Sequence, residues 1–143
     1  QIWKAPAAGG QAVQVTREGG FEGFESPDGK SLYYAKGRSI PGIWQVPIEG
    51  GEERLVLDHH QAGLWRYWRV ADQGIYFVTA ATPGPSLLEF FSFATGQVSE
   101  VARLERAPEK YTPGLAVSPD GRHLLCVWQD RSGSDLMMVE NFR

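Results

Sequence analysis

Short apolar runs, broken by polar stretches that carry glycine and proline, pattern this chain from end to end. Ser31-Leu32-Tyr33-Tyr34-Ala35, Ile75-Tyr76-Phe77-Val78 and His123-Leu124-Leu125-Cys126-Val127 are rich in aromatic and β-branched residues and read as strands. No segment spaces its apolar residues at the 3.6-residue helical period, so the pattern predicts essentially no helix.

The runs belong to a repeat. Ile2-Trp3-Lys4-Ala5-Pro6-Ala7-Ala8-Gly9-Gly10-Gln11 returns 41 residues on as Ile43-Trp44-Gln45-Val46-Pro47-Ile48-Glu49-Gly50-Gly51-Glu52. A looser copy starts at Leu88, 45 further on, and a fourth, Leu136-Met137-Met138-Val139-Glu140-Asn141, 48 beyond that. The first three predict a hairpin turned by a Gly-Gly or Thr-Gly pair, and the fourth stops with the chain. A second marker, Ser26-Pro27-Asp28-Gly29-Lys30, recurs 92 residues on as Ser118-Pro119-Asp120-Gly121-Arg122, with a degraded copy, Ala71-Asp72-Gln73-Gly74, near the midpoint. Proline presets φ, aspartate bonds nearby amides and glycine accepts positive φ, so the marker predicts a turn.

A period of roughly 40–45 residues in an all-β chain marks the four-stranded antiparallel blade of a β-propeller. The expected layout is a half blade in 1–16, full blades in 17–58 and 59–105, and a three-stranded last blade in 106–143. That is two, four, four and three strands, a partial propeller of about three blades. Such an arc leaves two blade faces bare. If each exposes about 500 Å² of apolar surface, burying it is worth on the order of 12 kcal/mol. Self-association or pairing with further blades is therefore expected. The chain begins in mid-repeat and reads as a fragment.

Composition narrows the options. Of 143 residues, 42% are hydrophobic, which places the chain among globular proteins. The net charge is −3 and the 14 basic residues are scattered, which argues against a nucleic-acid surface. The longest apolar stretch, 74–81, is too short to span a bilayer. One cysteine, Cys126, precludes an intramolecular disulfide and sits in a strand-like run as a small apolar filler. Absence of disulfides fits the cytoplasm and is compatible with the periplasm.

Several residues invite a chemical reading. His59-His60 lies where one blade passes to the next; adjacent histidines on a strand point opposite ways, though in a loop they could share an ion. No Cys or third His joins them, although Asp58 is adjacent, so a solvated loop is expected. No metal or other cofactor is implied. Trp65-Arg66-Tyr67-Trp68-Arg69 alternates stacking platforms with cations, as a peptide or glycan groove would. It also reads as the innermost strand of its blade, corresponding to Phe21-Glu22-Gly23-Phe24-Glu25 and 113–117 in the others, with side chains in the core and channel. Should a ligand bind, Trp65, Arg66 and Trp68 are the candidates, with His59, His60, Glu18, Lys110 and Tyr111 on equivalent loops. Trp3 and Trp44 are expected to pack between blades. Gly84-Pro85-Ser86-Leu87-Leu88 and Arg131-Ser132-Gly133-Ser134-Asp135 each lack one glycine of a Gly-x-Ser-x-Gly nucleophile elbow, so no catalytic residue is assigned.

Together the Ser-Pro-Asp-Gly turns and the strings Tyr33-Tyr34-Ala35-Lys36-Gly37-Arg38, Ile43-Trp44-Gln45-Val46-Pro47, Glu49-Gly50-Gly51-Glu52 and 132–142 resemble the TolB-like, WD-repeat-like β-propellers. The longer strings look like the C-terminal propeller of bacterial, acidobacterial-type winged-helix regulators. The resemblance implies a non-enzymatic module for protein interaction or ligand sensing in a larger regulatory protein. The alternatives are the substrate-gating propeller of a prolyl-oligopeptidase-like serine peptidase, or a propeller lyase or glycosidase.

Overall fold

The computed structural model describes residues 1–38, 40–59, 62–79, 84–105, 114–118 and 121–127. Among them the chain is all-β, without a helix, and forms four antiparallel sheets. The first sheet pairs β1 (Trp3–Lys4) with β2 (Val13–Gln14). The second is a meander of β3 (Glu22–Glu25), β4 (Ser31–Ala35), β5 (Ile43–Pro47) and β6 (Arg54–Leu57). The third repeats it with β7 (Trp68–Ala71), β8 (Gly74–Thr79), β9 (Ser86–Ser92) and β10 (Val98–Leu104). The fourth pairs β11 (Leu115–Val117) with β12 (Leu124–Cys126). His60, Lys110, Tyr111 and the fourth hairpin copy at 136–141 lie outside the described residues.

The hairpin repeat of the sequence is a repeat of register. Trp3 faces Gln14 and Lys4 faces Val13. Shifted by 41 residues, the same pairs are Trp44 with Leu55 and Gln45 with Arg54. Shifted by 45 more, they are Glu89 with Glu100 and Phe90 with Ser99. Even the bulge recurs, Ile43 pairing with Leu57 and Leu88 with Ala102. The amides of Gly9 and Gly50 close the two Gly-Gly turns on the carbonyls of Pro6 and Pro47, at 2.9 and 2.8 Å.

The Ser-Pro-Asp-Gly turns also coincide. Gly29 N donates to Ser26 O at 2.8 Å and Gly121 N to Ser118 O at 2.9 Å. The hydroxyls of Ser26 and Ser118 accept from the amides of Ser31 and His123 at 2.9 and 3.0 Å. Gly29 and Gly121 have φ of 70° and 69°, where a side chain is strained. The equation of Gly74 with these two glycines needs correction. Ala71 pairs directly with Gly74 across a two-residue turn, so this connection is two residues shorter. Gly74 is required for a different reason: a Cβ there would meet the Phe91 carbonyl oxygen.

The sheets stack in chain order, each interface with its own apolar cluster. Val15, Leu32, Tyr34 and Val46 fill the space between the first and second sheets. Tyr33, Ala35, Ile43 and Leu57 meet Trp68, Ile75, Phe77 and Phe91 between the second and third. Tyr67, Val78, Leu88, Leu104 and Leu115 lie between the third and fourth. On β4, Leu32 and Tyr34 enter one cluster while Tyr33 and Ala35 enter the other. That is the two-residue alternation of a strand with both faces covered, and it explains why the run is apolar throughout. The edge strands β6 and β10 are largely exposed and carry Arg54, Glu100 and Arg103, charges that discourage edge-to-edge pairing. The first strand of each full sheet packs beside the next, β3 against β7 and β7 against β11.

Candidate functional site

The strongest gathering of cations and aromatic rings forms where loops of the second and third sheets meet. Phe21 immediately precedes β3, Arg38 follows β4, and Trp65 and Arg66 precede β7. Because Glu22 pairs with Ala35, the start of β3 and the end of β4 share one end of their sheet, which brings Phe21 and Arg38 together. The stacking of the third sheet on the second adds the other two.

The rings of Phe21 and Trp65 meet edge to face at 5.7 Å. The Arg38 guanidinium lies 4.5 Å from the Trp65 ring centre and 5.1 Å from that of Phe21. Arg66 approaches the same indole at 4.5 Å. Such contacts contribute about 0.5–1 kcal/mol each at exposed positions. Deeper in, Arg69 covers Phe24 at 4.5 Å and stands 4.0 Å from Glu22. Burial lowers the Arg69 pKa from its ordinary value, Glu22 opposes the shift, and the charge of Arg66 adds to it.

Glu22 holds this region together. One carboxylate oxygen accepts from the Arg66 amide and from the Trp68 indole N–H, both at 2.9 Å. On the far side, the Arg66 carbonyl accepts from Leu115 N at 2.7 Å. Arg66 is thus anchored to the second and fourth sheets at once. It alone among the described non-glycine residues has a positive φ, 71°. That left-handed conformation costs roughly 1–2 kcal/mol and persists because both peptide groups are tied.

The residues singled out in the sequence are scattered. Only Trp68 and Arg69 of the aromatic–basic run belong to the strand; Trp65, Arg66 and Tyr67 form the turn that leads into it. The expectation of one continuous innermost strand therefore needs correction, because the left-handed Arg66 breaks extension before β7 begins. Trp68 is fully buried, edge-on to Phe24 at 4.7 Å, and acts as framework. His59 lies against Phe77, 5.3 Å between ring centres, and its carbonyl accepts from Ala62 N. Trp44 is half buried beneath the Lys36 ammonium, 3.7 Å from the ring centre, whereas Trp3 is 56% exposed. Arg38, Glu22 and Lys36 were not singled out from the sequence. A polar loop with two cations was the available signal, but which rings they cover depends on sheet stacking.

A second polar cluster lies between the first and second sheets. Glu53 accepts from the amides of Arg17 and Glu18 at 2.7 and 3.2 Å. Lys36 Nζ lies 3.4 Å from Glu53 and 3.3 Å from Glu18. Burial alone would raise the Glu53 carboxyl, yet the Arg17 amide, the Tyr34 hydroxyl, the Glu18 amide and Lys36 outweigh it and bring the pKa to about 2. Burial, with the adjacent carboxylate, pushes the Tyr34 phenol far above its ordinary range.

At the opposite end of the sheets, a cavity of about 630 Å³ opens among the connections between first and second strands. It is lined by Pro27, Asp72, Gln73, Tyr76, Phe90 and Ser118 among others. Among the described residues no three of His, Cys, Asp and Glu converge as metal ligands, and no helix is long and apolar enough to cross a membrane. No protein-family model matches the chain, and no curated protein matches it.

Proposed function

We propose that the chain is part of a β-propeller of TolB-like type and serves as a non-enzymatic module for protein interaction or ligand sensing in a larger bacterial regulatory protein. The observation that carries this reading is the stacking of four antiparallel sheets in chain order, one apolar cluster per interface, with the first strands side by side. Recurrence of the hairpin register and its bulge supports a common structural unit. Propellers present loops at the two ends of their blades, and the cation–aromatic patch stands on such loops.

The principal charged groups described here hold the framework. Glu22 ties three backbone segments through Arg66, Glu53 ties the β2–β3 connection to the start of β6, and Asp28 closes a turn with the Ser26 hydroxyl at 2.6 Å. The Ser26 bond lowers the Asp28 pKa. A binding role is therefore favoured over turnover.

A crystal structure of the full-length parent protein, together with peptidase, glycosidase and lyase assays on it, tests the proposal. The expected result is a closed ring of four-stranded blades without turnover. A sandwich or barrel would overturn the architecture, and measurable catalysis by this segment would overturn the binding role.

A further inference from the structure

The patch formed by Phe21, Arg38, Trp65 and Arg66 brings two guanidiniums onto one indole. Among the described residues, neither Arg38 nor Arg66 makes an ion pair. The nearby carboxylates are engaged elsewhere: Glu22 with the Arg66 amide, the Trp68 indole and Arg69, and Glu18 and Glu53 with Lys36. Arg38 is exposed and Phe21 is 38% exposed, while Trp65 and Arg66 are partly buried, so the patch faces solvent on its Arg38 and Phe21 side.

Its geometry constrains what fits. Both guanidiniums lie 4.5 Å from one indole centre, so their separation cannot exceed twice that distance. Side chains two residues apart on an extended strand stand about 6.6 Å apart on one face. The backbone beneath Arg66 is held from two sides, so little ordering cost remains for a ligand. Aromatic surface between two planar cations suits a peptide chain with carboxylates at alternate positions, since guanidinium and carboxylate form paired, charge-assisted hydrogen bonds.

We propose that this patch docks an extended acidic segment of a partner protein, with two carboxylates at alternate positions on Arg38 and Arg66 and the intervening chain against the exposed part of Phe21. This rests on the reading of the chain as an interaction module and names the partner's chemistry. The chain is net negative, so the attraction is local; charges beyond about 8 Å are screened at physiological ionic strength.

The test is fluorescence anisotropy of the whole chain with a labelled decapeptide alternating glutamate and serine. A glutamine–serine peptide is the uncharged control and unlabelled glutarate the small-molecule competitor. Two variants, R38Q and R66N, remove the guanidiniums; asparagine tolerates the left-handed backbone at position 66. Circular dichroism verifies that both variants fold as the parent does.

The expected result is salt-sensitive binding of the glutamate peptide, weakened about tenfold or more by each variant. The glutamine peptide should not bind, and glutarate should not compete at peptide-like concentrations. Absence of binding, equal binding of the glutamine peptide, or native affinity in both variants would overturn the proposal. Competition by glutarate at peptide-like concentrations would also overturn it, in favour of a small-acid site. Failure of these arms with native spectra leaves the propeller module standing, whereas a parent structure without stacked blades removes that module whatever the affinity.

Discussion

Glu22 and Glu53 show how single carboxylates join neighbouring sheets. Replacing Glu22 with alanine leaves the Arg66 amide and the Trp68 indole N–H without their acceptor. We expect E22A to lose about 1–3 kcal/mol in urea denaturation, and E22Q, which keeps an acceptor, to lose less. For Glu53 the sign follows from a folded-state pKa of about 2, below its ordinary value of 4.5. Its stabilisation is complete above the unfolded-state value and disappears as pH falls through the folded-state value. Unfolding followed from pH 6 to pH 2 should show a loss beginning near pH 4.5. The Glu53 contribution is on the order of 1–2 kcal/mol after allowance for solvent screening, and E53Q should lack it. Neither role was legible in the sequence, where both residues are ordinary polar positions. Each becomes decisive because a segment distant in the chain presents N–H groups to it.

The strand and turn pattern was legible because the interactions that create it are local. Ser26 reaches residues only a few positions away, and Ser118 repeats the arrangement. Hairpin register follows from the turn that closes it, so a 41-residue repeat in letters became a 41-residue repeat in pairing. Gly74 was misread for an equally physical reason: a glycine demanded by a turn and one demanded by a crowding neighbour look alike in sequence. Gly74→Ala should cost more than about 3 kcal/mol, since its Cβ would overlap the Phe91 carbonyl and the Phe90 ring. Gly96→Ala, with nothing within 4 Å but φ of 66°, should cost only about 1–2 kcal/mol. Thermal unfolding of the two variants in parallel checks the contrast; similar losses would remove the distinction between crowding and backbone strain.

Across the molecule, the middle sheets pack on both sides and expose large apolar residues such as Leu55 and Val101 on their edge strands, whereas the outermost sheets expose them more fully. Trp3 is 56% and Val13 52% exposed on the first sheet, and Leu125 is 68% exposed on the fourth. Burying such surfaces is worth roughly 25 cal/mol per Å². The expected outcome is self-association of the isolated chain at micromolar concentration, seen by sedimentation as a mass above that of one copy. L125E should shift the distribution toward the single chain. A strictly monomeric parent would show that these faces do not drive association.

From its sequence alone, the chain specified an all-β character, the four-strand unit, the positions of the first three hairpins and the chemistry of two turns. These depend on alternation and on contacts within a few residues, which any segment carries with it. Tertiary structure decided that Arg38 meets Trp65, that Arg66 adopts a left-handed backbone between two other sheets, and that Glu22 anchors both Arg66 and Trp68. Those contacts join residues far apart in the chain, and they exist only because successive sheets stack through their apolar faces, which sets the distance between loops that no local rule connects.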